Sequence, residues 1–221
     1  MNREPDLREP DWGDETEGRL LMAALAHVVA LGWTRRLTAA AARDVGLSPA
    51  EAELLLPEGP RDLAALLARH HDEVALSKLA KTDPGALKIR ERIRVGVLAR
   101  LEAAMADAPA TRGWMGFLAL PGNAPLGLRL LWASADRLWR WAGDTATDEN
   151  HYTKRFLLAE ILLSSLAIRL AAGADAASVH LDRRIAGVMA FERWKAANRP
   201  GDMAAKLAAT LGRLRYGRAA T

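Results

Sequence analysis

A chain of 221 residues, 50% hydrophobic and 26% charged, can bury a real core and is too apolar to be disordered as a whole. It has no cysteine, which excludes disulfides, thiolate metal sites and a cysteine nucleophile. The net charge of +4 is unevenly held: residues 1–18 carry seven carboxylates against Arg3 and Arg8, while from Lys195 onward six cations face only Asp202.

Signal and transit peptides are basic or acid-poor, so the acidic start predicts a cytoplasmic bacterial protein rather than an imported one. No uninterrupted apolar run reaches the roughly 18 residues of a bilayer-spanning helix, which predicts a soluble or peripheral protein. The basic end points to an anionic partner, a membrane surface or nucleic acid.

Ala and Leu are abundant while Tyr and Phe are sparse, which favours helix over strand. The first helix is predicted from about Glu15 to Leu31, with Leu20, Leu21, Ala24, His27, Val28 and Leu31 on one face. Thr38 is the expected cap of a short second helix, Ala39 to Val45, stopped by Gly46. Ser48 caps a third with Pro49 at its first position, so residues 32–56 have helix-turn-helix spacing.

A fourth helix is predicted from about Arg61 to Lys81, broken by Asp83-Pro84-Gly85. A fifth, about Ala86 to Ala106, carries Ile89, Ile93, Val97 and Leu101 in a stripe, with Arg90, Glu91, Arg94 and Arg100 on the wet side. Thr111 to Leu120 is a short helix or apolar segment, and Leu126 to Trp141 a helix with three tryptophans. The helix from about His151 to Ala172 is apolar nearly all round and is expected to be buried on several sides. Two more follow, about Ala177 to Ala197 and Asp202 to Tyr216, giving about ten in all.

Catalytic chemistry has little to stand on. The histidines are His27, His70, His71, His151 and His180, and only His70, His71, Asp72 and Glu73 cluster locally. No second His/Glu pair completes a di-iron site, so that cluster reads as a solvated helix face. No phosphate-cradling glycine loop or nucleophile elbow occurs, and Ser164-Ser165 reads as interior hydroxyls bonded to the preceding turn. The expectation is no catalytic residue, no metal and no cofactor.

A helix-turn-helix ahead of a larger helical body resembles the TetR regulators, making a ligand-responsive DNA-binding repressor the alternative function. The recognition-helix position, however, holds Glu51 and Glu53 and no cation, where DNA affinity needs Lys and Arg. Arg35, Arg36 and Arg43 lie near enough to supply some attraction. The expectation is no nucleic-acid partner.

Three segments carry a resemblance to a known family: Leu120-Pro121-Gly122-Asn123-Ala124-Pro125, the run from Trp139 to Asp144, and the run from Thr147 to Arg155. With their spacing, and with Gly32-Trp33-Thr34, they resemble the Coq-nine family of coenzyme Q biosynthesis proteins. The resemblance implies an all-α, TetR-regulator-like fold and a non-enzymatic accessory protein. Its expected partners are an isoprenoid lipid or quinone precursor, a di-iron demethoxyubiquinone hydroxylase, an anionic membrane surface and a second copy in a homodimer. The expected location is the bacterial cytoplasm, peripheral to the inner membrane.

With the family in view, Trp114, Met115, Phe117, Leu118, Leu131, Phe156, Leu163 and Leu166 are candidate lipid-binding residues, the other reading being ordinary core. The candidate partner surface is Trp139, Trp141, Asp144, Asp148, His151, Tyr152 and Arg155. Family members usually carry aromatics where Glu149 and His151 stand here, and Asp148 also reads as a helix N-cap. Met203, Leu207, Leu211 and Leu214 form an apolar stripe beside Lys206, Arg213 and Arg215. That is an interfacial helix gaining roughly 1 kcal/mol per basic residue at an anionic surface, or a helix packed on the body. The expected organisation is a disordered acidic tail 1–14, a degenerate helix-turn-helix 15–57, a lipid-binding body 58–198 and a basic amphipathic helix 199–221.

Overall fold

The computed structural model describes residues 12–144 and 149–197, which are all-α with no strand among them. The helix α1 (Trp12–Leu31) buries Leu20, Leu21, Ala24 and Val28. It ends at Gly32, whose φ of 62° turns the chain while its N–H still reaches the Val28 carbonyl at 2.9 Å.

The next helix, α2 (Arg35–Asp44), starts one turn earlier than predicted. Trp33 explains the shift: it is buried, donates its Nε1–H to the Ala110 carbonyl at 3.3 Å, and stacks on Phe117 with centroids 6.2 Å apart. Anchoring there lets the helix begin at Arg35, and Thr38, the predicted cap, falls inside α2 with its hydroxyl buried and unpartnered.

Ser48 does cap α3 (Pro49–Leu55): its hydroxyl accepts from the Glu51 N–H, and the Glu51 carboxylate accepts from the Ser48 N–H at 2.8 Å. None of the α3 residues is buried, and the helix presents Glu51, Glu53 and Leu54 to solvent.

From Pro60 the body begins. The central helix α4 (Pro60–Leu79) packs on α1, α5 and α7, burying Leu63, Leu67, Ala75 and Leu79. A short 3-10 turn, Pro84–Ala86, precedes α5 (Ile89–Ala106), so the predicted start at Ala86 belongs to that turn. Then come α6 (Ala108–Ala119) and α7 (Ala124–Trp141), each with a proline in its first turn.

The last described element, α8 (Glu149–Ala197), is one span broken at Gly173, where φ is 88° and ψ is −172°. That single residue replaces the longer predicted connection and folds the span into two arms. Ser164 on one arm meets His180 on the other at 2.9 Å, and Glu160 meets Arg184 at 2.5 Å. The prediction of about ten helices becomes eight α-helices among the described residues, the last in two arms. The predicted helix Asp202 to Tyr216 lies outside them.

One core cluster runs from Leu20 through Leu67, Val97 and Leu138 to Leu181, joining the helix-turn-helix region to the body. The stretch His151–Ala190 is long and apolar enough to cross a membrane by length and composition. It is interrupted at Gly173 and seats Leu158, Ile161, Leu162 and Leu166 in the core. It is not buried all round: Phe156 is 66% and Leu163 41% exposed.

Candidate functional site

A strongly apolar, partly open cavity of about 280 Å³ lies between α5, the end of α7 and both arms of α8. Ile89 and Ile93 of α5 form one wall, Leu157, Leu158 and Ile161 a second, and Ile185 and Val188 a third. Trp139 closes one end beside Thr153 and Lys154. The break at Gly173 makes this possible, because it brings the second arm back alongside the first.

An ion-pair lattice holds that end rigid. Asp144 accepts from Lys154 Nζ and from Arg155 Nη1, each at 2.6 Å. Arg155, 2% exposed, also donates its Nε–H to Asp136 at 2.9 Å. The Lys154 ammonium sits 5.5 Å from the Trp139 ring centroid, while Trp139 Nε1 donates to the Lys154 carbonyl at 3.0 Å. Burial works to raise the Asp144 carboxyl, but the hydrogen bonds from Lys154 and Arg155 outweigh it and hold the group below its ordinary range. Two motif segments singled out in the sequence are thus joined by the charges they carry.

A second polar cluster sits inside the body. Asp72 accepts from Arg100 Nε at 2.6 Å, Ser134 Oγ at 2.7 Å and Arg137 Nη1 at 3.1 Å. This corrects two expectations: Arg100 is buried rather than on the wet side of α5, and His71 and Asp72 do not belong to a solvated face. Each buried charge finds its partner on another helix. Burial, reinforced by the Arg100 and His70 charges, pushes His71 down to about 3, so its ring is neutral and donates Nε2–H to Asp107 at 3.3 Å. Among the described residues no group of three or more His, Asp or Glu is placed to share a metal ion.

The candidate lipid-binding residues do not come together as one set. Trp114, Leu131 and Leu166 border a void of only about 20 Å³ beside Arg100. Leu118 is buried, Met115 and Phe117 are half-buried, and Phe156 and Leu163 face outward. None of the eight lines the larger chamber.

The candidate partner residues do not form one surface. Trp139 lines the chamber, and Asp144 and Arg155 form the lattice behind it. Trp141 is half-buried, donating Nε1–H to the Leu79 carbonyl at 3.3 Å. Tyr152 is 65% exposed, 6.0 Å from the Trp132 ring and 5.2 Å from His151. Asp148 and the membrane candidates Met203, Lys206, Leu207, Leu211, Arg213, Leu214 and Arg215 lie outside the described residues. Sequence reasoning missed Asp136, Ile185 and Val188. Asp136 was open to detection through its i,i+4 pairing with Arg140, whereas the other two belong to the chamber only through the fold-back of α8.

These features define, among the described residues, an all-helical protein with short helices α2 and α3 joined by a tight turn near one end and an apolar chamber between α5, α7 and α8. The COQ9 family model matches residues 124–192, which covers α7 and most of both arms of α8 and so most of the chamber wall. The human ubiquinone biosynthesis protein COQ9, mitochondrial, is 31% identical over 159 residues, covering 67% of this chain and 48% of that protein. The bovine protein of the same name is 32% identical over 159 residues, with the same shares, and the COQ9-B protein of Xenopus laevis is 30% identical over 171 residues, with shares of 71% and 56%. This chain belongs to the COQ9 family. It spans about half the length of the curated relatives it matches.

Those relatives are mitochondrial proteins, which overturns the expected placement in the bacterial cytoplasm at the inner membrane. The expectation rested on the acidity of residues 1–18. In a chain that spans half of its relatives, the first residues do not report on a leader.

Proposed function

We propose that this chain is a non-catalytic, lipid-handling accessory protein of ubiquinone biosynthesis. It takes part of an isoprenoid quinone precursor into the chamber between α5 and α8 and presents it to a demethoxyubiquinone hydroxylase at a membrane surface, acting as a homodimer. The observation that carries this reading is the chamber itself. Its walls are formed largely by the segment that matches the COQ9 family, and its lining is aliphatic apart from Arg90, Trp139, Thr153, Lys154 and Met189.

The volume of about 280 Å³ lies at the lower end of the range of about 300–1,000 Å³ for small-ligand pockets, so it accommodates a fragment of a polyprenyl lipid rather than the whole. Each buried methylene contributes roughly 0.8 kcal/mol, enough to hold such a fragment without any reaction. The outward patch of Tyr152, Trp132, Phe156 and Leu128 supports a protein contact, because aromatic and aliphatic side chains at the surface are what interface cores use.

Mass spectrometry of an organic extract from the purified protein tests the reading. The expected result is a prenylated lipid that is lost from a Leu157→Trp variant, in which the indole fills the chamber, while helicity is retained. An extract free of lipid, or one unchanged by the filled chamber, refutes it.

A further inference from the structure

The chamber does not end in an aliphatic wall. Next to it lies a more polar recess of about 400 Å³ lined by Glu91, Arg94, Asp182 and Ala186. Arg90, Ile185 and Met189 line both spaces. Arg90 therefore stands where the apolar interior gives way to the wet mouth.

The charges around this junction largely cancel, apart from Arg90. Arg94 is held by Asp182 through two hydrogen bonds, at 2.7 and 3.3 Å. Lys154, which also lines the chamber, is paired with Asp144 at 2.6 Å. Glu91 accepts from the Lys88 backbone N–H at 3.1 Å, and its carboxylate approaches the Arg90 guanidinium no closer than 3.9 Å. The Arg90 side chain is 60% exposed. A guanidinium offers five N–H donors in a planar fork that matches a carboxylate or phosphate, and this one is left with most of them.

We infer that the chamber takes a second class of ligand besides a neutral quinone precursor: a single-chain amphiphile with an anionic oxyacid head. Its carbon chain occupies the space between α5 and α8, and its carboxylate or phosphate lies in the recess on Arg90. This rests on the chamber reading above and adds a selection for head-group charge. The two ligand classes compete for one volume.

The test is displacement of a neutral fluorescent probe, N-phenyl-1-naphthylamine, from the full chain by decanoate, decyl phosphate and decanol. Their chains match and only the heads differ. Decanoate and decyl phosphate are expected to displace the probe at about fivefold lower concentration than decanol, the value of one solvent-accessible ion pair of about 1 kcal/mol. In Arg90→Gln the ratio between the acid and alcohol concentrations is expected to fall to about one. Arg36→Gln, an exposed arginine on α2, leaves all three as they were. Equal displacement by acid and alcohol in the wild-type chain, or a preference that survives in Arg90→Gln, overturns the inference while the chamber reading stands. Failure of all three compounds, decanol included, removes the chamber reading as well.

Discussion

At the scale of single residues, the polar groups inside the body are the sharpest probes of the structure. His71 is 2% exposed and pushed down to about 3, well below the value near 6.5 it has in an unfolded chain. Below about pH 6.5 the unfolded state therefore binds a proton that the folded state refuses. The stabilising contribution is complete above that pH and falls by about 1.4 kcal/mol per pH unit as the pH drops towards 3. Urea unfolding at pH 7, 6 and 5 should show this slope in the wild-type chain and a flatter one in His71→Gln; equal slopes would mean that the ring is not buried and neutral.

Asp144 is the second probe. Asp144→Ala leaves Arg155 buried with Asp136 as its remaining carboxylate partner. Breaking a buried ion pair on one side costs about 3 kcal/mol, which a shift in denaturant midpoint at constant m-value reads directly. Asp144 and Arg155 stood out in the sequence because they fall in recognisable segments. Asp72 stood out only within a cluster read as a solvated face, because its partners Arg100, Ser134 and Arg137 come from α5 and α7, and no local spacing announces them.

At the scale of elements, helix ends marked by local chemistry were legible. Pro49 after Ser48 and Gly46 after α2 mark boundaries that the structure keeps. The start of α2 was not legible, because Trp33 reaches the Ala110 carbonyl across 77 positions of sequence and sets the chain's entry angle.

The decisive element is the break in α8. A φ of 88° with a ψ of −172° is open essentially to glycine alone, and a Cβ built there meets nothing within 4 Å, so any penalty is backbone strain. Gly173→Ala is expected to destabilise by about 1–3 kcal/mol and to lower Tm by about 2–4 °C per kcal/mol. Gly187→Ala, within the second arm and with equally open space, should instead stabilise by up to about 1 kcal/mol. If calorimetry found both substitutions neutral, the hairpin at Gly173 would not have the geometry described.

At the scale of the whole molecule, the proposed function divides between the body and the basic end of the chain. The chamber belongs to the body. The proposal gives membrane attachment to residues 202–221, which lie outside the described residues, on the apolar sequence spacing of Met203, Leu207, Leu211 and Leu214 and the adjacent Lys206, Arg213 and Arg215. Deleting 202–221 should abolish flotation with vesicles containing anionic lipid and leave far-ultraviolet circular dichroism per residue close to its original value. Flotation that persists would move membrane contact to the body, where the exposed Phe156 and Leu163 would be the first residues to examine.

The amino-acid sequence by itself determined the helical class, most helix boundaries, the family and the paired motif segments, because propensity, capping and turn chemistry act over a few residues. Only the tertiary structure decided where the cavity lies. A void is a property of surfaces brought together from distant positions, and here Ile89, Leu157 and Val188 meet because one glycine reverses α8. Burial of Arg100, Asp72 and the neutral His71 was decided in the same way, since a polar side chain stays inside when a partner from a distant part of the chain reaches it, and sequence spacing within one helix carries no record of that partner.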